Sequence, residues 1–97
     1  MRVCYTLEAV EHIDAIHSFI EGRNPQAARR VIEHIRDAAE RLVEFPHIGH
    51  AGLVAGTREW VVQGLPYIIV YELDLQRDEV TVLGVFHGAQ DRETRLE

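Results

Sequence analysis

Tyr67-Ile68-Ile69-Val70-Tyr71 is aromatic or β-branched at every position. Preceded by Gly64-Leu65-Pro66 and followed by the charged Glu72 and Asp74, it reads as a strand covered at least in part on both faces. Two runs of similar character flank it, Thr57 to Gln63 and Glu79 to His87, and short polar or glycine-containing turns connect them to it. Three such runs with short connections predict a three-stranded antiparallel meander, with the strand from Pro66 to Leu73 at its centre.

Upstream of Pro46 the apolar period changes from two to between three and four. Val3-Cys4-Tyr5 forms a short strand, and Thr6 is a good N-cap for a helix running to about Glu21, with Ala9, Ile13, Ile16 and Ile20 on one stripe. Gly22 ends that helix. Asn24-Pro25 supplies the cap and first-turn proline of a second helix, whose stripe is Ala28, Val31, Ile35, Ala38, Leu42 and Phe45 before Pro46 stops it. Helices joined by about three residues must be antiparallel neighbours. The expected fold class is therefore α+β: an N-terminal strand, an antiparallel helical hairpin, then the meander, with the hairpin on one sheet face. No repeat, low-complexity tract or linker divides residues 1–97, which read as one domain.

The composition bounds the function. Hydrophobic residues make up 46% and charged residues 27%, a globular balance, and no apolar run is long enough to span a bilayer. Met1-Arg2-Val3-Cys4-Tyr5 enters a strand directly, without the apolar stretch of a secretory signal, so a cytoplasmic location is expected. Cys4 is the only cysteine, which leaves no internal disulfide, and its apolar neighbours suit a buried small side chain. All ten basic residues are arginine, and sixteen carboxylates leave a net charge of -6. A chain of that sign lacks the global basic field that holds a nucleic acid backbone, so direct sequence-specific DNA binding by this chain alone is not expected. A local arginine patch stays open, because a guanidinium matches phosphate and carboxylate geometry whatever the net charge.

Several chemistries fall away on incomplete constellations. Gly49, Gly52 and Gly56 precede no helix and read as loop flexibility rather than a phosphate cradle. His47 and His50 have metal-like spacing, yet no Cys or nearby carboxylate completes a site, so neither a metal nor a cofactor is expected. Ser18, the only serine, lies inside the first helix, far from any nucleophile elbow. On the second helix Arg29/Glu33, Arg36/Glu40 and Asp37/Arg41 stand four apart with opposite signs, the pattern of a self-paired solvated face. Tyr67 and Tyr71 share a strand face and are expected in the core, with their hydroxyl tips wet.

Four segments, Pro46-His47-Ile48-Gly49, Gly56-Thr57-Arg58-Glu59, Leu65-Pro66-Tyr67-Ile68-Ile69-Val70-Tyr71 and Val85-Phe86-His87-Gly88-Ala89-Gln90, follow the helical hairpin in this order. In that arrangement the chain resembles the RelE/ParE toxin superfamily over almost its whole length. The resemblance implies a type II toxin made beside an antitoxin, whose flexible tail wraps it until the antitoxin is degraded. It also implies one of two mechanisms: the ParE-like branch inhibits DNA gyrase, and the RelE-like branch cleaves messenger RNA on the ribosome. The absence of Lys, the lack of a tyrosine after His87 and the negative charge all favour the gyrase-directed branch. The alternatives are a ribosome-dependent mRNA endoribonuclease and an inactive member that only binds its partner.

The candidate contact residues for the target or the antitoxin are Arg58, Trp60, His87, Gln90 and Arg92. Arg58, Trp60 and Val62 alternate along one strand, which sets a guanidinium beside an aromatic; a structural arginine stacked on Trp60 or paired with a carboxylate is the competing reading. His87 ends the last strand, either as a general acid or base or as a histidine bonded to a loop. No catalytic residue is assigned for a gyrase inhibitor. For a nuclease the set would be Arg58, His87 and Arg92. Because this toxin is itself acidic, apolar grooves and added strand pairing are expected to carry much of the antitoxin affinity, with Arg58 and Arg92 as local anchors.

Overall fold

A computed structural model of the chain describes residues 1–88. Its elements are β1 (Arg2–Tyr5), α1 (Leu7–Glu21), α2 (Pro25–Glu44), β2 (His50–Ala51), β3 (Arg58–Val61), β4 (Tyr67–Asp74) and β5 (Glu79–His87). The strands form one sheet in the order β1-β5-β4-β3-β2. The expected meander is present as β3, β4 and β5, antiparallel throughout, with β4 between its two partners. β1 adds a parallel edge beside β5, pairing Arg2 with Glu79 and Tyr5 with Val82.

The helix starts follow their caps. Thr6 Oγ1 accepts from the Ala9 N–H at 3.1 Å and Asn24 Oδ1 from the Ala27 N–H at 3.1 Å, each satisfying a donor that the first turn leaves open. Ala9 and Ile13 of α1 and Ala28, Ile35, Ala38, Ala39 and Leu42 of α2 are buried, which makes the inner face of the hairpin. Phe45 departs from its expected stripe. It leaves the helix at φ -130° and ψ 71°, so the helical period no longer aims it inward, and its ring is half exposed with the Arg41 guanidinium 5.9 Å above it.

Parity explains the two faces of the sheet. Tyr67, Ile69 and Tyr71 of β4 pack with Val80, Val82 and Val85 of β5 into the cluster shared with the helices. Ile68, Val70 and Phe86 form a second cluster with Leu83 on the opposite face. On β5 the inward set steps from Val82 to Val85 because the register shifts between Val70 and Tyr71, leaving one extra residue on that strand.

The loop after α2 differs from the expected unstructured run, since His50 and Ala51 pair with Glu59 and Arg58 as the short edge strand β2. Two residues are too few for alternation to register in sequence. On α2 none of the three expected ion pairs closes within 4.0 Å among the described residues.

An ion pair pins β1 instead. Arg2 Nε and Nη2 donate to Glu79 Oε2 at 3.0 and 2.8 Å. That hydrogen bonding, with the Cys4 thiol as a second donor, holds the Glu79 carboxyl below its ordinary value. The same carboxylate, together with burial, pushes the half-buried Cys4 thiol up, away from the reactive thiolate. A carboxyl depressed in the folded state stabilises above its unfolded value, and that contribution is lost as pH falls through the folded one. Urea midpoints taken from about pH 5 down to about pH 3 should therefore fall more steeply for the wild type than for Glu79→Gln. Parallel curves would show that the pair adds nothing in solution.

Candidate functional site

The loop from Phe45 to Gly49 links α2 to the sheet, and β3 and β4 hold it through side chains. Tyr71, fully buried, sends its hydroxyl into the loop: Oη donates to the Pro46 carbonyl at 2.8 Å and accepts from the Gly49 N–H at 3.1 Å. Arg58, paired with Tyr71 across the strands, donates from Nη2 to the carbonyls of His47 at 3.0 Å and Gly49 at 2.7 Å. Backbone groups that would otherwise be left unpaired near the core are thus satisfied by two side chains. The buried Arg58 Nε has no acceptor among the described residues.

Gly49 is not there for flexibility, which corrects the sequence expectation. A Cβ built on it would lie 2.6 Å from Tyr71 Oη and 2.8 Å from the Glu59 carbonyl oxygen, so the backbone approaches closer than any side chain permits. Around this pinned loop, Phe45, Ile48, Leu53 and Val54 are exposed at 39–52%. Phe45 and Ile48 belong to the loop that Tyr71 and Arg58 hold, and Leu53 and Val54 to the next connection, between β2 and β3, where Gly52 N–H donates to the Thr57 carbonyl at 2.8 Å and Thr57 Oγ1 to the Val54 carbonyl at 2.6 Å. Next to them on the sheet edge, His50 Nε2 stands 3.8 Å from Oε1 of Glu59, whose side chain is almost wholly buried.

The predicted site residues separate into two places. Arg58 and Trp60 share the helix-side face of β3, and Trp60 packs on the core. Among the described residues Arg58 neither stacks on an aromatic nor meets a carboxylate; it grips loop carbonyls. His87 pairs with Tyr67 at the start of β4, its ring edge-on to Tyr67 with centroids 5.5 Å apart. Arg58 and His87 are therefore offset by four residues of β4, about 13 Å along the strand, with β4 itself lying between them. Gln90 and Arg92 lie outside the described residues.

Tyr67 and Tyr71 are core residues, and burial pushes the Tyr67 hydroxyl up. Tyr71's hydroxyl, expected to be wet, is spent on the loop. Among the described residues no three His, Cys, Asp or Glu come together as metal ligands, and no helix is long and apolar enough to cross a membrane.

Sequence reasoning missed His12. Beyond Tyr5 no strand among the described residues lies beside the edge of β5, and α1 takes over there. The Val85 N–H donates to His12 Nδ1 at 3.2 Å, Thr6 Oγ1 donates to the Leu83 carbonyl at 3.2 Å, and the His12 ring lies 4.8 Å from that of Phe86. Side chains from a helix thus replace the missing strand, a device that protects a sheet edge. The only signal was a polar residue beside the α1 stripe, which is equally typical of a solvated position.

The family model described as the ParE toxin of the type II toxin–antitoxin system parDE matches residues 3–92. Y4kP of Sinorhizobium fredii, a toxin candidate, is 40% identical over 89 residues, 92% of this chain and 90% of that one. The toxin RelE2 of Caulobacter vibrioides is 36% identical over 70 residues, 72% of this chain and 77% of that one. Among solved structures, the chromosomal ParDE system of P. aeruginosa aligns with a TM-score of 0.79 at 20% identity, covering 90% of this chain and 95% of the other. The isolated E. coli RelE toxin aligns at 0.67 and 14%, covering 97% and 90%. At those identities the structures share the fold.

Proposed function

This chain belongs to the RelE/ParE toxin superfamily, as a member of the ParE toxin family of type II toxin–antitoxin systems, and from that premise we propose that it acts in the cytoplasm by binding and inhibiting DNA gyrase until a cognate antitoxin neutralises it. The observation that carries this reading over RNA cleavage is the separation of Arg58 from His87. A nuclease needs its acid, base and phosphate-stabilising groups within hydrogen-bond reach of one scissile phosphate. Here the arginine is held by two loop carbonyls beside Tyr71, midway along β4, and the histidine stands beside Tyr67 at the start of that strand.

A pinned loop rimmed with exposed apolar side chains suits a binding toxin. Large apolar groups on a rigid support supply contact area without an ordering cost, which is how interface anchors work. Arg58 holds the loop by its carbonyls and shares a face of β3 with Trp60; His87, Gln90 and Arg92 are further candidate contacts. The antitoxin has the short β2 edge and the same apolar rim to cover.

The test is a gyrase supercoiling assay beside a translating-ribosome messenger cleavage assay, on one preparation, with and without antitoxin. We expect gyrase inhibition that the antitoxin reverses, and uncut messenger. Arg58→Ala should raise the half-inhibitory concentration about tenfold, the effect of losing about 1.4 kcal/mol of contact or loop positioning. His87→Ala should change it little. Messenger cleavage without gyrase inhibition would overturn the proposal.

A further inference from the structure

The outer side of the helical hairpin carries an open groove of about 550 Å³ between α1 and α2. Its α1 wall reads Asp14, His17, Glu21 and its α2 wall reads Arg36, Glu33, Arg29, taken in the antiparallel direction. Both walls step by three residues and then four, and their signs are opposite at the two outer steps, Asp14 to Arg36 and Glu21 to Arg29, with the His17 ring opposite Glu33 between them. Within one copy the groove stays open: among the described residues no ion pair spans it within 4.0 Å, and the one contact in the walls is His17 with Glu21 along α1 at 3.8 Å. Arg29 and Arg36, which the sequence assigns to neighbours on their own helix, line this groove instead.

We propose that this groove is a self-association surface, on which a second copy of the chain docks its own hairpin. The charge pattern selects the geometry. A two-fold axis lying between the copies and parallel to the helices sets α1 of each copy against α2 of the other, antiparallel as in the hairpin itself, so each acidic wall meets a basic one. A two-fold axis perpendicular to the helices and in the plane of the interface would set α1 on α1 and α2 on α2, like charge on like. Closed two-fold pairing is the usual form of self-association, and complementary charge fixes its register. Half-buried Ile32 gives the contact its apolar part, while Ile13, buried in the core, closes the floor of the groove. An α1 of 15 residues is about 22 Å long, and two helices side by side present a face of about 450 Å² per copy, below the usual stable interface. The net charge of -6 on each copy also opposes association. The dimer is accordingly weak, with a dissociation constant in the high micromolar range.

Sedimentation equilibrium of the full chain from about 10 μM to about 1 mM tests this. The wild type should show a monomer–dimer equilibrium. Arg29→Glu/Arg36→Glu makes both walls acidic and Asp14→Arg/Glu21→Arg makes both basic, so each variant alone should be monomeric. An equimolar mixture of the two should form a heterodimer at least tenfold tighter than the wild-type homodimer. Circular dichroism establishes that each variant is folded. A wild type that stays monomeric at 1 mM, a dimer that both variants retain, or folded variants that fail to pair on mixing would overturn the proposal. Gyrase inhibition does not enter this readout, so its failure and that of the proposed function are separable.

Discussion

Ile35→Ala should lower the unfolding free energy by about 3–4 kcal/mol, the upper part of the range for emptying a buried aliphatic site. Ile35 has no exposed surface and lies mid-helix on the inner face of α2, in the cluster that joins the hairpin to the sheet. Its neighbours are held from two sides, by β-sheet pairing and by the helical hairpin, so the cavity has little room to collapse. A chain of 97 residues has a total stability of roughly 5–15 kcal/mol, which this one substitution cuts deeply. The melting temperature should fall by about 15–25 °C, and the urea midpoint should drop with an unchanged slope. Saturating antitoxin should restore part of the loss, since a ligand that binds only the folded state adds to its apparent stability. A loss below about 1 kcal/mol would mean that this site is not packed as described.

The elements that were legible in the sequence are those whose signals are local or periodic. Thr6 and Asn24-Pro25 mark helix starts by hydrogen-bond chemistry that acts within one turn, and both caps are made. The all-apolar Tyr67–Tyr71 run could only be a strand with neighbours on both sides, and it is. The placement of β1 beside β5 was not legible, because the choice between sheet edges is made by contacts 77 residues apart, such as Arg2 with Glu79. Phe45 kept the helical spacing in sequence and lost it in space, since a cap residue obeys its own dihedral angles rather than the period. The ion pairs on α2 failed for a related reason: spacing brings charges near each other but does not close them, and solvent competes with every such pair.

The candidate site was legible in its residues and not in their grouping. Arg58 stood out as a strand-end arginine, and its partners, two carbonyls of a loop nine to eleven residues earlier, leave no mark in sequence. Tyr71 looked like core and is core, but the same side chain is also the post to which the loop is tied. The nuclease reading grouped Arg58 and His87 with Arg92 as residues able to move protons or stabilise a phosphate. Strand register, which no pattern of single residues specifies, holds them apart.

Gly49→Ala is the substitution that joins the fold to the proposed activity. Glycine serves two different purposes in this chain. At Gly64, with φ +81° and nothing among the described residues within 4 Å of where a Cβ would stand, the backbone conformation demands it and space does not. Alanine there should cost about 1 kcal/mol of strain and leave the surroundings in place. At Gly49 the constraint is space: the added Cβ meets Tyr71 Oη at 2.6 Å, Tyr71 Cε1 at 2.9 Å and the Glu59 carbonyl oxygen at 2.8 Å. The last of these is β3 backbone and Tyr71 is fully buried, so neither neighbour can swing away and the loop itself must move. Moving it breaks the Gly49 N–H bond to Tyr71 and the two bonds from Arg58. The expected cost is about 2–4 kcal/mol, overpacking plus buried groups left unpaired. Under conditions where the variant remains folded, its gyrase inhibition should fall by tenfold or more, because the apolar rim no longer sits where the target meets it, while Gly64→Ala inhibits normally. Tyr71→Phe in the Gly49→Ala background should recover only part of the stability, since the Glu59 oxygen and the ring edge stay in the way. A Gly49→Ala protein as stable and as inhibitory as the wild type would show that the pinned loop is neither tightly held nor the surface the toxin uses.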